Sequence, residues 1–327
     1  MFDSKKIAVT GGAGMIGSEV CEELVSQNCR VVVVDDFSRG NILNLSKIND
    51  HIEIREGNLE EINFVNESLY DCDYVLHLAS RSYGIGYSDG RHLEILEHNE
   101  QITANLMHCF RRRKPDYVLL VSSSCVYDDH GPEEIPELPV MKGEPEAANW
   151  GYGWSKRFLE SRMSLLSKEL GIKIGVVRPF NIYSERYQWA GEYSQAIPML
   201  VKKVLDNDSE IEIWGSGNQR RSYLHATDCA HAIVELAKIK HHGSPINIGT
   251  NDTISVLELA KTICRLSGKS PALRVNPRKP EGRNVKSSNM SRLLETLPDF
   301  SPTISLEEGL TRMFRWYELG GPNCQNI

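Results

Sequence analysis

Three glycines constrain this chain more than any other feature. Gly11, Gly14 and Gly17 stand in G-x-x-G-x-x-G spacing within GGAGMIG, directly after the β-rich run KIAVT at 6–10. They directly precede EVCEELVSQNC, whose apolar residues recur at helical spacing. Strand, glycine turn and helix in that order open a doubly wound α/β fold. The next segment, RVVVVDDFS, carries four consecutive valines and reads as a strand buried on both faces, hence part of a parallel sheet. The alternation continues through HIEIREGN, CDYVLHLAS, YVLLVSSSCVY and IKIGVVRPFNIY, with helical segments between them.

The expected architecture is therefore α/β: a Rossmann-type doubly wound parallel sheet over residues 1–180, with a smaller C-terminal α/β lobe over 181–327. In the second part, turn-rich stretches such as WGSGNQRRSY and NPRKPEGRN alternate with short helices, the pattern of a lobe that faces a substrate. The boundary is expected to be interleaved, because INIGT at 246–250 reads as a short strand able to return to the edge of the main sheet. No internal repeat or low-complexity linker is visible.

Composition removes several function classes. No apolar run approaches the roughly 18 residues that cross a bilayer, and no signal sequence is visible at the start. Lys+Arg of 37 against Asp+Glu of 44 gives a net charge of −7, the wrong sign for neutralising nucleic-acid phosphates. Eight cysteines without a CxxC pair suit neither a disulfide scaffold nor a structural zinc site. The expectation is a cytoplasmic protein with no nucleic-acid or membrane partner and no metal.

The glycines also predict a ligand. Gly11 permits the tight turn, Gly14 lets backbone approach a pyrophosphate, Gly17 allows close helix packing, and the helix N-terminus offers N–H groups to the anion. Asp35, 18 residues beyond Gly17 at the end of the next strand, is placed to accept from adenosine ribose hydroxyls. Its charge repels a 2′-phosphate and favours NAD, while Arg39 is a counter-signal, since a guanidinium there could bind such a phosphate. Asn58, in GNL after the third strand, is either an adenine contact or a turn asparagine.

Tyr152 and Lys156 stand four apart in YGWSK at the head of a helical run, so both project from one face. A phenol titrates near pH ~10 when unperturbed, and a neighbouring ammonium, with a cationic nicotinamide nearby, is expected to lower that value toward use as a base. YVLLVSSSCVY ends in hydroxyls and a thiol at the carboxyl edge of the sheet, where open α/β sheets bind ligands. Ser123 is expected to hydrogen-bond the reacting oxygen of the substrate with Tyr152. Ser122 and Ser124 read as backbone-satisfying hydroxyls, and Cys125 as either an ordinary buried thiol or an acid/base.

With glycines 11, 14 and 17, Asp35, HLAS at 77–80, SSC at 123–125, YGWSK at 152–156 and RPFNIY at 178–183, the chain resembles the extended short-chain dehydrogenase/reductases that modify nucleotide sugars. The resemblance covers nearly all of it and continues through WGSGNQRRSYLHATD and PEGR at 280–283. SSCVY, TGGAGMIG and NIYSERYQWAGEY look most like the GDP-mannose 3,5-epimerase and GDP-fucose synthase branches. The 4,6-dehydratase branch has an Asp-Glu pair where Ser124 and Cys125 stand here.

The resemblance implies cofactor contacts at Met15, Ile16, Leu59, Leu78 and Ala79, besides the glycines, Asp35, Asn58, Tyr152 and Lys156. It implies substrate contacts at Ser124, Asn181, Trp189, Trp214, Arg221 and Arg283, with Arg221 and Arg283 near phosphate, and a structural link at Asp228. It places an acid/base at Cys125. The second acid/base of those relatives falls on Ala190, which cannot serve, and His130, Lys142, Tyr187, Glu192 and Tyr193 remain open as its replacement. The implied function is an NAD-dependent epimerase of a nucleotide-diphosphate sugar, GDP favoured over UDP, acting through a transient 4-keto sugar. The alternative is a C4 dehydrogenase or C4 epimerase (or a dehydratase) in which Cys125 is packing. His77 and His225 read as structural histidines. The segments 93–113 and 154–170 are expected to form a homodimer through a four-helix bundle.

Overall fold

The computed structural model describes residues 2, 5–88, 90–187, 189, 196–207, 209–279 and 282–321. Among them, five strands follow in order along the first part of the chain: β1 (Lys6–Thr10), β2 (Arg30–Asp35), β3 (Ile52–Glu56), β4 (Tyr74–His77) and β5 (Tyr117–Val121). Glu134–Ile135 (β6) leaves this sheet, and Lys173–Pro179 (β7) rejoins it. The large sheet reads Ile246–Ile248, β7, β5, β4, β1, β2, β3, and every pairing in it is parallel. The strand run at 246–248 therefore lies beside β7 at the sheet edge.

The helices are α1 (Met15–Ser26), α2 (Ile62–Leu69), the one-turn α3 (Ile85–Ser88), α4 (His92–Arg112) and α5 (Trp150–Leu170), followed by helices of the smaller lobe. The valines of β2 are buried on both faces because α1 and the helix Ala226–Lys238 cover one side, while α2, α4 and α5 cover the other. Gly171, at φ +70°, ends α5 in the left-handed conformation that favours glycine. A third apolar cluster, around Trp189, Val201, Ile213, Leu259 and Met313, forms the core of the smaller lobe.

Because chain order reverses between β1 and β4, a crevice opens at the carboxyl ends of β1, β4 and β5. The smaller lobe roofs it. The lobes exchange strands: β6 pairs in parallel with Val285–Ser288, which also lies beside Arg220–Ser222. This exchange carries residues from distant parts of the chain to the crevice.

Candidate active site

The crevice is a cleft of about 730 Å³ between the lobes, lined from the glycine turn to the smaller lobe. At its cofactor end Gly11 takes φ +69°, and a side-chain carbon there would lie 2.7 Å from the Ala79 nitrogen. A methyl on Gly17 would meet the Gly11 carbonyl at 2.0 Å. α1 begins at Gly14 with no side-chain cap, so its first-turn amides face the cleft without an internal acceptor. Met15, Ile16, Leu59, Leu78 and Ala79 complete this wall.

Asp35 ends β2 on the cleft wall, and its carboxylate accepts from the Ala13 and Phe37 amides at 2.9 Å each. Burial pushes this carboxyl up against those two hydrogen bonds. Asp36 adds a second carboxylate and pairs with Arg81 at 3.3 Å. Arg39 stacks over the Tyr83 ring, 4.8 Å from its centre. Two carboxylates at this corner suit a ribose diol better than a phosphate, and the cradle fits NAD. The side-chain oxygen of Asn58 accepts from Glu60 N at 2.9 Å, which commits it to a turn and leaves its NH₂ for a base edge.

In the middle of the cleft lie Ser123, Ser124, Cys125, Tyr152 and Lys156. Ser123 caps the short turn 124–126, its hydroxyl accepting from Cys125 N at 3.1 Å. Buried Ser122 instead donates to the buried Glu160 carboxylate. Lys156 is buried, donates to the Val121 carbonyl at 2.9 Å, and sits 5.6 Å from the Tyr152 ring centre. Desolvation lowers its ammonium to about 8, with Glu160 and Cys125 opposing the shift. The Lys156 ammonium by itself does not bring the Tyr152 phenol down. Burial pushes it up, outweighing hydrogen bonds with Ser82, Ser80 and Ser123, so the protein alone holds a neutral phenol. Ser80, the last residue of HLAS, and Ser82 also line this site, although neither was expected as a site residue.

The Cys125 thiol keeps some contact with the cleft, yet desolvation by the surrounding protein pushes it up to about 12, with Glu146 adding to the shift. Glu146 is held beside it by a bond from its own amide to the Cys125 carbonyl at 3.2 Å. Its carboxylate pairs with Lys286 at 3.1 Å. Glu146 and Lys286 are both buried and both line the cleft. Sequence reading missed them: Glu146 sits in an unremarkable EPEAAN tract, and Lys286 lies in a strand of the other lobe, three residues past the arginine selected there.

Asn181, with φ 44°, lines the cleft and donates to the Ser222 carbonyl at 2.9 Å. Arg221 lines it on the strand next to Lys286. Trp214 lines it with the ammonium groups of Lys279 and Lys203 over its ring at 5.1 and 5.8 Å.

Two expected substrate contacts stand elsewhere. Arg283 is not among the cleft-lining residues. Its fork is taken up by the main-chain carbonyls of Val285, Asp128, Gly131 and Pro132, a use open to any guanidinium near a tight turn. Trp189 is fully buried, donates to the Glu185 carbonyl at 2.9 Å and packs on Tyr317 in the core of the smaller lobe.

Of the candidates for a second acid/base, Tyr187 reaches the cleft, whereas His130 and Lys142 are exposed and do not line it. Ala190, Glu192 and Tyr193 lie outside the described residues. Asp228 accepts from Thr303 and Ile304, tying two segments together. His77 is buried against Thr10 and lowered by desolvation to about 3, and His225 sits between Thr227 and Glu185. No group of three or more metal-ligating side chains occurs, and no helix is long and apolar enough to cross a membrane, among the described residues.

A model of the NAD dependent epimerase/dehydratase family matches residues 7–249. The UDP-N-acetyl-alpha-D-glucosaminuronate decarboxylase of Bacillus cytotoxicus is 29% identical over 319 residues, 96% of this chain and 98% of that protein. The GDP-L-fucose synthase of Sinorhizobium fredii is 28% identical over 96% of each chain. Among solved structures, the UDP-glucose 4-epimerase of Thermotoga maritima with UDP-glucose has a TM-score of 0.85 at 25% identity, covering 96% of this chain and 99% of that one.

Proposed function

The chain belongs to the NAD dependent epimerase/dehydratase family, and we propose that within it this protein epimerises a nucleotide-linked sugar through a transient 4-keto intermediate. The single observation that carries this reading is the placement of Cys125 on the wall of the same cleft as Ser123, Tyr152 and Lys156. Its cofactor, NAD, supplies the hydride acceptor and donor for the sugar's C4 when bound. Tyr152 takes the proton of the C4 hydroxyl and later returns it, and Ser123 donates a hydrogen bond to the same oxygen. Lys156, anchored on Val121, keeps positive charge behind the phenol. The ketone acidifies the adjacent C–H bond, and Cys125 moves the proton there. Arg221 and Asn181 hold the nucleotide diphosphate, and Trp214 walls the nucleotide end. GDP-sugars come first among substrates on the strength of the SSCVY and NIYSERY resemblance.

The test is incubation with GDP- and UDP-sugars in deuterated water, read by mass spectrometry and proton NMR. Deuterium should enter a carbon next to C4 without net redox, and Cys125→Ser should lower that incorporation at least about 100-fold, the usual scale for losing a general acid/base. Unchanged incorporation in Cys125→Ser sinks the thiol's role. A second reading, a C4 epimerase or dehydrogenase with Cys125 as packing, draws on the high position of the thiol, a poor source of free thiolate. It predicts a changed sugar with no carbon-bound deuterium.

α4 and α5 pack along each other and expose Leu93 and Leu165. We read this face as covered by a second copy, giving a dimer by sedimentation equilibrium; a monomer at micromolar concentration rejects the interface.

A further inference from the structure

We propose that the base acting beside the ketone is a dyad, Cys125 backed by the Glu146 carboxylate, with Lys286 fixing that carboxylate in place. This rests on the epimerase reading above and deepens it. The geometry comes from three separate parts of the chain. The amide of Glu146 donates to the Cys125 carbonyl at 3.2 Å, which holds the Glu146 carboxylate close enough to the Cys125 thiol for each to shift the other, and Lys286 reaches Glu146 from the smaller lobe at 3.1 Å. Gly153 seals the arrangement, since a side-chain carbon there would lie 2.6 Å from the Cys125 carbonyl.

A buried carboxylate with a buried lysine is costly to assemble, and a structural pair of this kind has no reason to line a substrate cleft. Here both members do; the carboxylate's other hydrogen-bond partner is the side-chain amide of Asn149 at 3.1 Å, and the thiol stands next to it. In the proposed dyad the carboxylate, which accepts and never donates, takes the S–H proton, and a sulfur lone pair is left for the cleft. As the C–H bond beside the ketone breaks, its proton goes to sulfur, the S–H proton goes to Glu146, and the electron pair stays on the sugar as the enolate. Reversal runs the same transfers backwards. No free thiolate is needed.

The charged and titratable groups facing the dyad are Lys286 and Arg221 on the strands of the smaller lobe, Arg283 beyond them, and Tyr152 and Lys156 on α5. Despite burial, Lys286 holds Glu146 down to about 2, so the carboxylate is ionised and ready at neutral pH. Burial and Glu146 hold the thiol protonated.

The experiment compares wild type, Glu146→Gln, Glu146→Asp and Cys125→Ser as NAD-bound enzymes, measuring deuterium entry beside the ketone from pH 5.5 to 9.5. Wild type should show a flat profile across neutrality. Glu146→Gln should lose at least about 100-fold at pH 7 and regain rate about tenfold per pH unit up to the Lys156 value of about 8, because only free thiolate remains. Glu146→Asp should restore part of the loss with the flat profile. A second readout needs no turnover: alkylation of Cys125 by iodoacetamide, followed on its peptide by mass spectrometry, should be faster in Glu146→Gln at pH 8, since a neighbour that raises the thiol is gone.

Wild-type exchange that requires Cys125, with Glu146→Gln equal to wild type in rate and profile, overturns the dyad and leaves the epimerase reading standing. Wild type with no exchange overturns both. NAD affinity within a few-fold of wild type certifies that each variant is folded.

Discussion

Tyr152→Phe should reduce turnover of the sugar by about 10³-fold, within the 10²–10⁴ that a positioned acid/base contributes, while leaving NAD affinity within a few-fold. The replacement deletes one oxygen. Its ring keeps the packing of α5 against the cleft, and the Lys156 anchor on Val121 does not involve the hydroxyl. What disappears is the atom surrounded by Ser80, Ser82 and Ser123. Because burial holds this phenol high in the protein alone, the charge that makes it a base must come from Lys156 and from the bound cofactor together. Lys156, lowered to about 8, is mostly charged at pH 7 and mostly neutral at pH 9. Turnover through Tyr152 should therefore fall as pH rises past the lysine's value, and Tyr152→Phe should lack that limb. The check is initial rates by NMR across pH 6–10 with cofactor binding by fluorescence. A variant keeping more than a tenth of wild-type turnover removes Tyr152 from the chemistry.

The cofactor half of the site could be read from the sequence because its signals are local. A strand, a glycine turn and a helix occupy residues 6–26 without a gap, and the clashes at Gly11 and Gly17 are set by neighbours within that segment or just across the sheet. Tyr152 and Lys156 are likewise one helical turn apart. The valine run of β2 revealed the parallel sheet because burial on both faces erases the alternation of a one-sided strand.

The sugar half depends on strand exchange between lobes, which no local pattern encodes. Lys286 meets Glu146 only because β6 and Arg220–Ser222 both pair with Val285–Ser288. Along that segment Arg283 and Lys286 look equivalent as cations, yet one turns to main-chain carbonyls and the other to the cleft. Trp189 illustrates the same limit from the apolar side: a tryptophan in a loop fits a ligand wall or a core, and the neighbouring helices of the smaller lobe decide for the core. The burial of Tyr152 escaped for a related reason. Its spacing from Lys156 is local, whereas its desolvation is a property of the assembled cleft.

The largest loss of stability is expected from Glu160→Ala, about 3–5 kcal/mol. Glu160 follows Lys156 by one turn on α5 and is buried. Its carboxylate accepts from Arg178 Nε at 2.9 Å and Nη2 at 2.6 Å, and from Ser122. Arg178, 2% exposed, donates onward to the Tyr127 hydroxyl and the Leu138 carbonyl, and Tyr127 donates to Asn247 at the sheet edge. Removing the carboxylate strands a guanidinium that cannot shed its proton, so the cost is mostly that of an uncompensated buried charge. If so, removing both partners should hurt less than removing one. Glu160→Met with Arg178→Leu, which fills the space with apolar volume, should recover at least about 1 kcal/mol relative to Glu160→Ala in urea unfolding, at unchanged m. A double variant no more stable than Glu160→Ala would show that the pair acts through shape and not charge. The single variant should also move the Lys156 ammonium further down, because Glu160 is a neighbour that raises it. The alkaline limb of turnover should then shift to lower pH, linking the buried network to Lys156 one helical turn away.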